Sequence, residues 1–120
     1  MLELTIERIG ELAVIDCRGR IVQSEAAVKI REAVTSLCNE RIIVLDLSEV
    51  SAVESVGLGM LCFLQRWTHD HDIQLRLFNP SLSVRKRLER GIPTPEFHMI
   101  TLPELMTLLA NAEIPFALVA

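Results

Sequence analysis

The chain has 120 residues, half of them hydrophobic, and a formal net charge of −4. That length suits one ordinary domain, expected over residues 1–120, which buries roughly two thirds of the surface its unfolded chain exposes. A negative balance with no long basic segment argues against nucleic-acid binding, and the uninterrupted apolar runs, such as those at 42–45 and 60–64, fall far short of the ~20 residues a membrane-spanning helix needs.

Leu2, Leu4 and Ile6 alternate with Glu3, Thr5 and Glu7. This start carries acids where a secretory signal would be basic, so it reads as a first strand of a cytoplasmic protein. After a turn at Gly10, residues 12–17 supply a second strand, completing a hairpin that Gly19 ends. Ser24 is placed to cap a helix over 25–38, in which Ala27, Ile30, Val34 and Leu37 share one face and Asn39 marks the stop. The run 42–47 lacks alternation, as a strand covered on both faces does. A helix after Ser55, running to about His69, and an alternating strand over 73–78 complete a βαβ unit. Asn79-Pro80-Ser81 opens a short basic helix that Gly91 closes. Ile92-Pro93-Thr94-Pro95 then reads as a loop and 97–100 as a short edge strand. Thr101 and Glu104 stand in capping-box spacing ahead of a last helix over 102–112. The sum is an α/β fold: a small mixed sheet of hairpin and βαβ units with about four helices packed against it.

The densest information lies in residues 41–59, RIIVLDLSEVSAVESVGLG. The apolar run meets Asp46, a polar loop follows, and Glu54-Ser55 precedes a glycine-spaced helix starting near Gly57. That order sets the Ser55 hydroxyl at a helix N-terminus, where unpaired N–H groups and the helix dipole favour an anionic group. Ser55 is therefore a candidate phosphate carrier. The position equally suits a plain capping serine, bonding an orphan N–H near Leu58 for about 1 kcal/mol. Gly57 and Gly59 each cost a helix about 1 kcal/mol relative to alanine. Close approach of a partner's backbone, or of the chain's own sheet, would compensate.

Leu45-Asp46-Leu47, then Glu54-Ser55-Val56-Gly57-Leu58-Gly59, resemble the signature of the STAS domain, the fold of bacterial anti-sigma factor antagonists. Its usual form is Leu-Asp-Leu, a variable loop, then Asp-Ser-Ser-Gly-Leu-Gly. The resemblance runs from the first hairpin to the helix near Leu105. It implies a STAS-like fold, an anti-sigma factor with serine kinase activity as partner, and Ser55 as the phosphorylated residue. Glu54 stands for the usual aspartate and Val56 for a small residue. Gly19-Arg20-Ile21-Val22 stands where a Gly-Glu-Leu-Asp turn is frequent. If the missing acids help a kinase hold magnesium, this chain either meets a differently charged partner or is not phosphorylated.

At about 100° per residue, Met60, Leu61, Leu64, Trp67 and Thr68 share one side of the helix after Ser55, while Leu58, Cys62, Arg66 and His69 fall on the other. The first group reads as core. The second begins beside Ser55 and suits either a partner surface or a solvated flank. Partner contact is accordingly expected at Glu54, Ser55, Val56, Gly57, Leu58, Gly59, Cys62 and Arg20, with Leu58 and Cys62 at least partly exposed.

The remaining features read blandly. Cys17, Cys38 and Cys62 are odd in number and widely spaced, so they suggest buried small apolar residues rather than disulfides or a zinc site. His69-Asp70-His71-Asp72 contains metal-ligand residue types, but a polar turn with His69 near a helix C-terminus is the simpler reading. No metal or other cofactor is expected. Arg85, Lys86, Arg87 and Arg90 form a basic patch, solvated unless an acidic partner or a lipid headgroup uses it. No glycine-rich phosphate-cradling loop is present, and neither the serines nor the cysteines have a base positioned by motif, so a non-enzymatic binding module is expected. The apolar tail at 114–120 would bury against its own domain or, next, against a second copy of the chain as a homodimer. Two functions follow. One is an antagonist that regulates sigma-factor-dependent transcription and is switched at Ser55. The other is a non-phosphorylated scaffold subunit of a transporter or signalling complex.

Overall fold

A computed structural model of the chain describes residues 2–91 and 97–113. The expected loop at 92–95 and the apolar tail at 114–120 lie outside the described residues. Strands β1 (Leu2–Ile9) and β2 (Leu12–Ile21) form the expected antiparallel hairpin, from Leu2 opposite Gly19 to Ile9 opposite Leu12. Gly10 makes its turn at φ 58, a left-handed conformation open chiefly to glycine. Strands β3 (Ile42–Val53), β4 (Gln74–Phe78) and β5 (Met99–Ile100) add in parallel, giving the order β1-β2-β3-β4-β5. Parallel neighbours need crossovers. Helices α1 (Ser24–Thr35), α2 (Ser55–Asp70) and α3 (Leu82–Gly91) lie in those connections, and α4 (Leu102–Glu113) follows β5.

Strand alternation sorts the sheet into two apolar faces. Ile15, Ile43, Leu45, Leu47 and Leu77 pack with Ile30 and Val34 of α1, Leu61 and Leu64 of α2, and Val84 and Leu88 of α3. On the opposite face Leu12, Val44 and Ile100 pack with Leu105 of α4, with Val14, Ile42 and Phe78 partly buried beside them. Coverage on both faces accounts for the unbroken apolar run at 42–45.

Several boundaries differ from the sequence reading. Gly19 does not end β2; it sits within the strand at φ 126, beside a break in register, and β2 continues to Ile21. The stretch expected as a polar loop after Leu47 is strand to Val53, because it pairs with this extension of β2 and buries Val50 and Val53 in the main core. Helix α1 takes Gln23 as N-cap without a side-chain bond, so Ser24 is helical rather than capping. It stops at Thr35, short of Cys38 and Asn39, where the Leu37 N–H donates to Val34 O at 3.0 Å and tightens the last turn. Ile73 is not yet strand, since its N–H donates back to Thr68 O at 2.8 Å. The capping box forms as expected: the Glu104 N–H donates to Thr101 Oγ1 at 3.3 Å, and the Thr101 N–H to Glu104 Oε1 at 3.1 Å. These Thr101 bonds hold the Glu104 carboxyl below its usual range.

The three cysteines separate. Cys17 is buried, Cys62 half-buried and Cys38 exposed, which corrects the expectation of three buried thiols. Cys38 falls in the turn beyond α1, where Leu37 takes the inward position and leaves its neighbour facing solvent. Burial, reinforced by Asp16 and Asp46, pushes the Cys17 thiol from its ordinary 9.0 up to about 12. The folded state therefore holds this proton more tightly than the unfolded chain does. Its contribution is complete below pH 9.0 and is lost as pH rises towards about 12. The chain has no tyrosine to titrate in that window. The urea midpoint is expected to fall with pH across it, and Cys17→Ala to flatten the slope whatever its effect on absolute stability.

Candidate functional site

Strands β2 and β3 end side by side, with Arg20 opposite Ala52 and Ile21 opposite Val53. The Glu54 N–H donates to Ile21 O at 3.1 Å, and α2 starts at the next residue. No loop intervenes. Glu54 occupies the N-cap position in an extended conformation and makes no side-chain capping bond. Ser55 is already helical, so α2 begins there rather than near Gly57. The Leu58 N–H expected to bond the serine hydroxyl donates instead to Glu54 O at 3.0 Å. The hydroxyl oxygen accepts a bond from Arg87 Nη2 of α3 at 3.3 Å. Glu54, Ser55, Val56 and Arg20 are all exposed.

The two glycines have different neighbours. A Cβ on Gly57 would lie 2.7 Å from Ile21 Cγ2 and 2.8 Å from Ile21 O. Close packing against the chain's own sheet is therefore the reason for glycine there, and Gly57 is buried rather than offered to a partner. A Cβ on Gly59 would meet nothing within 4 Å. That position is open.

Leu58 corrects the sequence reading outright: it is 6% exposed and belongs to the main core. The buried arc of α2 takes in Gly57, Leu58, Met60, Leu61, Leu64 and Thr68. It is wider than one stripe because the helix is enclosed by the sheet and by helices on both flanks. Trp67, assigned to the core, is only partly buried at its edge. The outward side carries Val56 (37% exposed), Gly59, half-buried Cys62, Phe63 (48%) and Arg66. Across from it on α1 stands Val28, also 37% exposed. Val28, Arg31, Val56, Gly59 and Phe63 line a shallow groove between the two helices. The sequence reading missed Phe63. Centring the apolar arc on Gly57 would have placed it outside, three and four residues from Met60 and Gly59.

The His69–Asp72 segment shows local contacts. The His71 ring stacks on Trp67 with centroids 4.0 Å apart, its Nδ1 lies 2.7 Å from Trp67 O, and His69 Nδ1 lies 3.7 Å from Asp70. Among the described residues no group of three or more His, Cys, Asp or Glu could hold a metal. Burial raises the Cys62 thiol, which moves it away from the reactive thiolate. No helix among the described residues is long and apolar enough to cross a membrane.

Comparison with protein families matches residues 3–104 to the STAS domain. No curated protein sequence matches significantly. Among solved structures, the fold is similar to that of the unphosphorylated anti-sigma factor antagonist SpoIIAA, at 20% identity and TM-score 0.73 over 91% of this chain and 97% of that one. It is also similar to an anti-sigma factor antagonist from Mycobacterium paratuberculosis, at 18% identity and TM-score 0.75 over 92% and 95%. The murine anion transporter Slc26a9 contains a similar region, at 19% identity and TM-score 0.67, covering 88% of this chain and 18% of the transporter. At these identities the likeness is one of fold.

Two predictions follow from the facing of α2. Leu58→Glu is expected to lower the melting temperature about as much as Leu61→Ala, which leaves a cavity costing ~2–5 kcal/mol, whereas Phe63→Glu leaves it unchanged. Gly57→Ala is expected to destabilise by ~1–3 kcal/mol through overpacking on Ile21. Gly59→Ala should instead stabilise by up to ~1 kcal/mol, since only helix propensity changes there. Thermal and urea denaturation of the five variants checks both.

Proposed function

This chain belongs to the STAS domain family, and on that premise we propose that it is a non-enzymatic binding module of the anti-sigma factor antagonist type. It sequesters an anti-sigma factor that is also a serine kinase, in a bacterial cytoplasm, and so frees a sigma factor for transcription. The observation that carries this reading is an exposed hydroxyl, Ser55, one residue before Val56, which lines an exposed apolar groove with Gly59, Phe63 and Val28. Interfaces draw most of their energy from a few desolvated side chains, aromatics above all. Phe63 is the natural anchor. Cys62 flanks it and Glu54 precedes Ser55, while Gly57 and Leu58 support the surface from beneath; Arg20 stands apart, lining a separate hollow with Val22, Glu25 and Lys29.

Ser55 is the off-switch in this reading. Phosphorylation adds about −1.5 to −2 charges next to Glu54, which repels an acidic face and makes an apolar one costly to dock. The purified protein, mixed with its gene-neighbour kinase and ATP, is expected to gain the mass of one phosphoryl group, and Ser55→Ala to gain none. Ser55→Asp and Phe63→Glu should each weaken the complex at least tenfold, about 1.4 kcal/mol, with the melting temperature held. A partner that binds wild type and Ser55→Asp equally would overturn the switch.

One observation favours a second reading, a scaffold subunit docked on a transporter or signalling complex without phosphorylation. Exposed Arg20, one residue before the Ile21 that seats α2, lies in the Gly19–Val22 segment where an acidic turn is frequent in the family. Transporter genes beside this one would support that reading, and a kinase and sigma factor gene the first.

A further inference from the structure

Arg87 crosses from α3 to the start of α2, reaching a residue 32 positions away to donate its Nη2 hydrogen to Ser55 Oγ. Its helix is fixed in place, because Val84 and Leu88 are buried in the same core as Leu61 and Leu64. The guanidinium itself is exposed, and no carboxylate among the described residues forms an ion pair with it. A charged fork is thus held against a neutral hydroxyl, where among the described residues it makes a single long bond of 3.3 Å.

We propose that Arg87 is a positioning residue that receives the phosphoryl group of phosphorylated Ser55 and draws it onto α3. This rests on the reading of Ser55 as the modified serine. In the transfer, the serine oxygen bonds the γ-phosphorus of ATP, the bond from that phosphorus to ADP breaks, and the hydroxyl proton passes to a base of the kinase. The new acceptor oxygens then lie two bonds beyond the atom Arg87 already contacts. Arginine suits them, since its planar fork donates to two phosphate oxygens at once and the bonds become charge-assisted. Glu54, at the N-cap of α2, pushes the phosphate away, and Arg85, Lys86 and Arg90 add positive potential from α3. The modified protein is therefore a tied α2–α3 pair, and the phosphate does more than add charge to the partner's path.

The test needs no kinase. Phosphoserine is installed at position 55 of the full chain during its synthesis, and its second ionisation is followed by phosphorus NMR. Free phosphoserine titrates at about 6; in the folded protein the midpoint is expected lower, because a facing cation favours the dianion. Arg87→Ala should bring the midpoint back up, and by clearly more than Arg85→Ala, which removes an equal charge from the same helix. The melting temperature should rise on phosphorylation in wild type and not in Arg87→Ala. Equal midpoints in wild type and Arg87→Ala would overturn the proposal and leave the switch standing. A kinase that never modifies Ser55 would sink the switch without affecting the titration.

Discussion

The close approach of Gly57 to Ile21 is the constraint on which the site depends. A helix that starts one residue after a strand has no loop to adjust its position, so its first turn must lie directly on the neighbouring strand. Any Cβ at residue 57 would occupy the volume of Ile21. Glycine permits the contact, and the Glu54 N–H bond to Ile21 O fixes it. Once the first turn is seated, the facing of all of α2 follows from its helical period. Leu61 and Leu64 go inward and Val56, Gly59 and Phe63 go outward. The exposed groove and the buried core are two results of one contact.

Features governed by near neighbours were legible in the sequence. The hairpin, the βαβ unit, the capping box at Thr101 and the serine at the head of α2 all depend on residues within a turn or two of each other, where spacing and residue type carry the information. Strand ends were not legible. Residues 48–53 are polar enough to read as a loop, and they are strand because β2 continues beside them to Ile21. Only the pairing of two segments distant in the chain decides that. Leu58 failed for a related reason. A wheel drawn for one buried stripe cannot show that neighbours on both flanks widen the arc to include it.

Arg87 marks the limit of sequence reasoning about the site itself. It was one of four basic residues in a patch, with nothing local to separate it from Arg85 or Lys86. The fold makes the distinction. Val84 and Leu88 set the inward face of α3, and Arg87, next to Leu88, reaches α2. A net negative chain thus places a cation beside its exposed serine, which overall charge does not reveal.

The geometry also bears on why a serine stands at position 55 at all. A capping serine is worth about 1 kcal/mol and would resist replacement on that ground alone. Here the Leu58 N–H is satisfied by the Glu54 carbonyl, and Glu54 rather than Ser55 holds the N-cap position. The hydroxyl contributes no cap to the helix, and its one side-chain bond among the described residues is an exposed, long contact with Arg87. Folding therefore places little demand on this oxygen, and a group attached to it would not disrupt the start of α2. A side chain that the helix does not need, held outward by a helix start that cannot shift, is suited to carry a reversible charge.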